Sequence, residues 1–251
     1  MENLRAIIPA AGKGTRLKAA NDLPKVLYDL CGKPLLEHVL DELGFIAPED
    51  TVVVVGYLRE KVMDYFGKRC RYAVQDRQLG TGHAVMACEP LFRDFDGTVL
   101  VTFGDMPLFR GSVMKKMCEY HAAKKAACTL LTAENPALTY WARIVRDENG
   151  CFSRIVEAKD CTPEQARIKE LFSGVLAFDS KKLFQTLPRL DTNNAQGEYY
   201  LTEVPELMAK DGLPVETYFD DDGDDLRGVN TPEDVEICRR VLESRMAAAA
   251  R

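Results

Sequence analysis

Apolar positions along the chain fall into two kinds of run. Short continuous runs rich in β-branched residues predict buried strands: "LRAIIPA" from Leu4, "TVVVVG" from Thr51, "CRYAVQ" from Cys70, "GTVLVTF" from Gly97 and "ACTLLTA" from Ala127. Between them, apolar residues recur three to four apart in "PLLEHVLDELG" (Pro34–Gly44), "YLREKVMDYFG", "GHAVMACEPLF" and "SVMKKMCEYHAAKKA", which predicts helices. Strands that are apolar on both faces and separated by helices imply βαβ units in a mainly parallel sheet covered on both sides. Ligands of such sheets sit at the carboxyl ends of the strands.

The pattern changes after the fifth strand. "ARIVRDENGCFSRIVEA" reads as a hairpin turned at "DENG", and "KELFSGVLAFD" supplies another strand. This β-rich half is expected to extend the same sheet and to form the wall facing the first half. "TPEDVEICRRVLESRMAAAAR" closes the chain as a long helix, with Thr231 as N-cap, Pro232 in the first helical position, and Glu233 and Asp234 in the first turn. The expected fold class is α/β, a mainly parallel Rossmann-like sheet flanked by helices. The expected organisation is one domain over 1–230, with halves 1–133 and 134–230, followed by a C-terminal helix over 231–251.

Composition narrows the chemistry. The net charge of −6 provides no global basic field for nucleic acid. No apolar run reaches the roughly 18 residues that span a bilayer, so no membrane partner is expected. Glu2 and Arg5 lead directly into a strand, which argues against a signal peptide. Cys31, Cys70, Cys88, Cys118, Cys128, Cys151, Cys161 and Cys238 are scattered singly, without zinc spacing. Reduced thiols and a cytoplasmic location are the expectation. His38, His83 and His121 are equally dispersed, so neither a His-based metal site nor a Ser-His-Asp triad is suggested.

Clustered cations in an acidic chain point to a local anion site. "PAAGKGTRLKAANDLPKVLYDL", running from Pro9, follows the first strand and carries Gly12, Gly14, Lys13, Arg16 and Lys25. Glycines at this place allow φ > 0 and close approach of backbone N–H groups to an anion. The run matches neither phosphate-loop pattern: no Gly starts G-x-x-x-x-G-K-[ST], and Leu17 stands at the third Gly of G-x-G-x-x-G. A G-x-G alone fits a tight βα turn equally well. Arg16 and Lys25 have no such explanation, since turn geometry requires neither, and both suit phosphate oxygens. Gln75 and Gln78 can satisfy donor and acceptor positions on a base edge. Asp105 directly follows a strand, where a turn, an N-cap or a metal-bound phosphate would each use it.

These blocks together resemble a known family. "AAGKGTRL" with "LPKVL", then "QDRQLGTGHAV", "GDMPL", "IVEAKD", "NNAQGEYYLTEV" and "GVN", occur in the order found in the sugar-1-phosphate nucleotidyltransferases. The likeness spans about Leu4 to Val241. It is particularly clear to the uridylyltransferase domain of the bacterial bifunctional enzyme that makes UDP-N-acetylglucosamine. The resemblance implies attack of a sugar-1-phosphate on the α-phosphorus of a nucleoside triphosphate, with Mg²⁺ as cofactor and both substrates as small-molecule partners. It implies catalytic roles for Arg16 and Lys25 and metal ligation by Asp105 and Asn230. Ala11, Gly12, Gly14, Thr15, Gln75, Gln78, Gly80 and Thr81 would bind nucleotide, in the half over 1–133. Gly104, Glu157, Ser173 and Thr202 would bind sugar, mostly in the half over 134–230. Lys159 is either a neighbouring phosphate contact or a solvated charge.

Three departures bear on the sugar. The family's "NTG" is "FSG" here, which we read as Ser173 standing in the amide position; Gly-Tyr-Gly-Arg is Tyr140-Trp141-Ala142-Arg143; and the Tyr before Gly-Asp is Phe103. Weaker discrimination at the sugar 2-position is therefore expected. The hexapeptide repeats of the family's acetyltransferase domain do not occur before Arg251. A missing C-terminal domain and no acetyl transfer are expected, whether the chain is truncated or naturally single-domain. A cytidylyl- or thymidylyltransferase is the neighbouring alternative. A non-catalytic nucleotide-sugar sensor is the alternative of another class.

Overall fold

A computed structural model of the chain describes residues 3–17 and 23–249. Residues 18–22 of the loop and the last two of the expected terminal helix lie outside the described residues. In chain order the elements begin with β1 (Leu4–Pro9), β2 (Asp29–Leu30), β3 (Lys33–Pro34), α1 (Leu35–Glu42), β4 (Thr51–Val55), α2 (Arg59–Phe66) and β5 (Arg71–Val74). Next come α3 (Thr81–Met86), α4 (Glu89–Phe92), β6 (Thr98–Val101), α5 (Gly111–Lys124) and β7 (Cys128–Glu134). The second half supplies β8 (Arg143–Arg146), β9 (Phe152–Val156), β10 (Glu170–Asp179), α6 (Ser180–Thr186), α7 (Val204–Lys210), β11 (Val215–Phe219) and α8 (Pro232–Ala249).

The main sheet runs β11-β7-β10-β6-β1-β4-β5, with the β8–β9 hairpin attached through β10. The pairs β6–β1, β1–β4, β4–β5 and β7–β11 are parallel, whereas β10 is antiparallel to both β6 and β7. Successive side chains alternate between the two faces. Ile7, Val52, Val54, Val99 and Val101 pack with α3, α6 and α7, while Ala6, Ile8, Val53, Val55 and Leu100 pack with α1, α2 and α5. This explains the unbroken apolar runs, because both faces are core. The expected helix "GHAVMACEPLF" is divided into α3 and α4, and Pro90 lies in the first turn of α4, the helical position where its missing N–H costs least.

The terminal helix starts as the sequence requires. Thr231 Oγ1 accepts from Asp234 N at 3.2 Å and Asp234 Oδ2 accepts from Thr231 N at 2.8 Å, a reciprocal cap. A separate apolar cluster of Leu17, Leu30, Leu35, Leu108, Val229, Val235 and Cys238 docks this helix beside the loop after β1.

Buried His121, at the end of α5, shares a 2.9 Å hydrogen bond with Thr129 Oγ1. Burial holds its pKa down, to about 4. The unfolded chain, with an ordinary histidine near 6.5, binds the extra proton between those values. Stability is therefore fully present above about pH 6.5 and is lost as pH falls toward 4, by about 2 kcal/mol at pH 5. Urea midpoints at pH 7 and pH 5 check this, and His121→Asn should flatten the difference.

Candidate active site

The loop after β1 is held at both ends. Ala10 N donates to Val54 O at 2.9 Å, and Leu17 N to Gly14 O at 3.1 Å. Gly14 has φ +63°, and a Cβ there would lie 2.5 Å from Lys25 Cβ. The glycine lets the loop lie directly on the Lys25 stem, at a φ that L side chains rarely adopt. Gly14→Ala is therefore expected to lower turnover about tenfold or more and to cost about 1–2 kcal/mol of stability. Steady-state kinetics beside a urea titration separate the two effects.

Lys25 is 8% exposed, and its ammonium donates to Asp105 Oδ2 and, at 2.9 Å, to Asn230 Oδ1. Arg16 Nη2 donates to the same Asn230 oxygen at 3.1 Å. Four residues from three distant parts of the chain thus meet at one point. The strand end after β6 positions Asp105: Gly104 N donates to Pro9 O at 3.1 Å, and Val229 N to Asp105 O at 2.8 Å. Thr231 caps α8, so Asn230 sends only its main-chain N–H to Asp234, at 2.9 Å, and its side chain stays with the cations. The Asn230 side chain therefore faces Lys25 and Arg16 and does not cap α8.

Two cavities meet at this cluster. One, of about 320 Å³, is lined by Pro9 to Gly12, Gly14, Arg16, Lys25, Val26, Gln75, Gln78, Gly80, Thr81 and Ala84. The other, of about 360 Å³, is lined by Met106, Tyr140 to Ala142, Glu157 to Asp160, Phe172, Gly174, Tyr200 and Thr202. Thr81, Phe103, Asp105, Glu198 and Asn230 line both. Two adjoining clefts that share Asp105, Glu198 and the amide of Asn230, with two cations bonded to that amide, suit two phosphorylated molecules held phosphate to phosphate.

Most residues expected from the sequence reach these walls. Ala11, Gly12, Gly14, Arg16, Lys25, Gln75, Gln78, Gly80, Thr81, Asp105 and Asn230 line the first cavity, and Glu157 and Thr202 the second. Thr202 Oγ1 donates to Glu157 Oε1 at 3.3 Å, while burial pushes the Glu157 carboxyl upward, with Asp160 adding to the rise. Thr81 Oγ1 accepts from Leu201 N at 3.0 Å, so this hydroxyl ties the two halves together. The side chain of Thr15, at the start of the single turn Thr15–Leu17, lies outside the described residues. Lys159 lines the second cavity, whereas the Lys13 ammonium stands 5.9 Å over the Tyr57 ring.

Two expected sugar residues lie elsewhere. Ser173 is fully buried, and its Oγ accepts from Val175 N at 3.0 Å. Strand alternation is the reason: β10 turns Phe172 and Gly174 to the cavity, so the residue between them faces away. Taken letter for letter, "NTG" against "FSG" also puts the amide position at 172, which corrects the reading of Ser173. Ser173→Asn is accordingly expected to overpack this site, costing about 1–3 kcal/mol without changing sugar preference. Denaturation and competing-sugar assays check both halves of that statement. Gly104 is the second case: a Cβ there would lie 3.2–3.3 Å from Ala10, Val26 and Leu36, so it allows close packing behind the wall. Phe172 and Gly174 could have been found from the parity of β10. Glu198, inside the "NNAQGEYYLTEV" block, carried no pattern of its own.

Asp105 and Asn230 fit a divalent cation. Their oxygens already share one cation, the Lys25 ammonium. Among the described residues no group of three or more His, Cys, Asp or Glu side chains could hold a metal. A site with two protein oxygens beside a phosphate cradle suits Mg²⁺, which uses one or two protein ligands together with phosphate oxygens and water.

A family model for the MobA-like NTP transferase domain matches residues 6–203. The chain belongs to this family. It is 43% identical over 246 residues to the bifunctional protein GlmU of Enterococcus faecalis, covering 98% of this chain and 53% of that protein. It is 44% identical over 246 residues to the GlmU of Limosilactobacillus fermentum, covering 98% of this chain and 54% of that one. The chain thus spans about half the length of the curated relatives it matches. Among solved structures, a UDP-glucose pyrophosphorylase complexed with UDP-glucose superimposes with a TM-score of 0.78 over 98% of this chain and 100% of that one. At 19% identity this likeness speaks for the NTP transferase fold alone.

Proposed function

We propose that the chain transfers a uridylyl group from uridine triphosphate to N-acetylglucosamine-1-phosphate and releases pyrophosphate. The observation that carries this reading is the meeting of two cavities over Asp105 and Asn230, with Lys25 and Arg16 at the same oxygens. The similarity to GlmU proteins supports the choice of substrates.

In this reading a phosphate oxygen of the sugar phosphate attacks the α-phosphorus. The new bond to that phosphorus forms as the bond to the β-phosphate oxygen breaks, and the electron pair leaves with pyrophosphate. Both reactants are polyanions, so the main task is to hold them in line and offset their repulsion. Lys25 and Arg16 do this from the nucleotide side, with the loop Ala11–Gly14 against the nucleotide and Gln75, Gln78, Gly80 and Thr81 around the base. Glu157, hydrogen-bonded to Thr202, accepts from sugar hydroxyls. The nucleotide half is 1–133 and the sugar half 134–230. Asp105 and Asn230 would hold Mg²⁺, which when bound supplies further neutralisation of phosphate charge. Eight free cysteines, five of them buried, support a reducing cytoplasmic setting. No helix among the described residues is long and apolar enough to cross a membrane.

Pyrophosphate release across a matrix of nucleoside triphosphates and sugar-1-phosphates, with and without Mg²⁺, tests the reading. The highest kcat/KM is expected for uridine triphosphate with N-acetylglucosamine-1-phosphate. No release from any pair in the presence of Mg²⁺ would overturn it.

A further inference from the structure

Gln75 is only 4% exposed, yet it lines the nucleotide cavity. Its Nε2 donates to Gly80 O at 3.0 Å and also lies 3.0 Å from His83 Nδ1. The carbonyl can only accept, so the nitrogen assignment is chemically required: a flipped amide would set oxygen against oxygen. With Nε2 as donor, His83 Nδ1 must accept, and the imidazole proton resides on Nε2 of the ring. The His83 ring is itself held in place. It stacks on Tyr199 at 6.3 Å between centroids, and Tyr199 brackets the segment through Tyr199 N to Leu79 O at 2.9 Å and Gly82 N to Tyr199 O at 2.8 Å. Gly80 permits this fit: its φ is +111°, and a Cβ there would lie 2.5 Å from Tyr199 O.

Both N–H groups of the Gln75 amide are thereby spent, and the group left to the cavity is the acceptor Oε1. A fixed acceptor matches the N3–H of a uracil or thymine ring and opposes the N3 lone pair of cytosine. We propose that His83 is a positioning residue for base selection: acting through Gln75, it locks the amide with its oxygen toward the base and so favours uridine over cytidine triphosphate. This rests on the uridylyl reading above. His83 does not touch the reacting atoms, so its effect falls on discrimination and KM rather than on the chemical step.

The test compares kcat/KM for uridine and cytidine triphosphates in wild type, His83→Phe, His83→Asn, Gln75→Ala and the Gln75→Ala/His83→Phe double variant. Phe keeps a ring against Tyr199 and removes the acceptor. It is expected to lower the uridine-to-cytidine ratio about tenfold, mostly through KM for uridine triphosphate, with kcat within about threefold. Asn, which keeps an acceptor, should restore part of the ratio. In the Gln75→Ala background His83→Phe should change the ratio no further, because the two act as one unit. An unchanged ratio in His83→Phe, or an additive loss in the double variant, would overturn the inference. If the wild type itself shows no preference for uridine triphosphate, the uridylyl reading fails first. Should His83→Phe not fold, ¹⁵N NMR of the wild type decides. A protonated Nε2 with bare Nδ1 and a slowly exchanging Gln75 side-chain amide support the lock, and an Nδ1–H tautomer overturns it.

Discussion

Asp105→Asn is expected to fold normally and to lose at least about a hundredfold in kcat. The substitution keeps shape and an oxygen acceptor for Lys25 but removes the negative charge that meets Lys25 where the two cavities join. Lys25→Ala should be comparably damaging, because it removes the cation that reaches both Asp105 and Asn230. The stability cost of Asp105→Asn should stay near 1–2 kcal/mol, since the pair is partly open to solvent and one hydrogen bond survives. Turnover measured beside a urea titration separates the two effects. Unchanged kcat in Asp105→Asn, or full activity in excess chelator, would remove Asp105 from the metal and phosphate chemistry.

Asp225→Ala is the largest stability effect expected. This carboxylate is 1% exposed and receives Arg110 Nε at 2.8 Å, with Arg245 of α8 on its other oxygen. Arg245 also donates to Leu108 O at 2.7 Å, so one buried acid joins the loop after β6 to the terminal helix. Its removal takes away the buried acceptor of both guanidinium groups and leaves them sharing only the more distant Asp222, 3.6 Å from Arg110 and 3.5 Å from Arg245, a change that costs about 3 kcal/mol. Activity should fall with stability, since Asn230 adjoins Thr231, the cap of the helix that this network anchors. A loss below about 1 kcal/mol in denaturant titrations would show that Asp220 and Asp222, both near Arg110, take over the charge.

The second half shows where a linear reading stops. The strand "KELFSGVLAFD" was legible from its apolar content. Its place between β6 and β7, antiparallel to both, was not. Nor was β11 expected: its half-buried residues lie on a sheet edge and lack the apolar run of a central strand. The misplacement of Ser173 had a nearer cause: letter for letter the amide of "NTG" falls on Phe172, and the alternation of the strand already sets Ser173 on the opposite face from Phe172 and Gly174.

What the sequence determined by itself was local. The apolar runs of β1, β4 and β6, the amphipathic helices between them and the Thr231–Asp234 cap follow from period and propensity over a few residues. So does the glycine-bearing loop with Arg16 and Lys25 beside it. What only the tertiary structure decided was which distant groups meet. Arg16, Lys25, Asp105 and Asn230 span more than two hundred positions, yet hydrogen bonds join them. The amide of Gln75 acquires a direction only when Gly80 and His83 close around it. Periodicity states which face of an element is buried, whereas the partner of a polar group depends on strand order and register, which long-range packing selects.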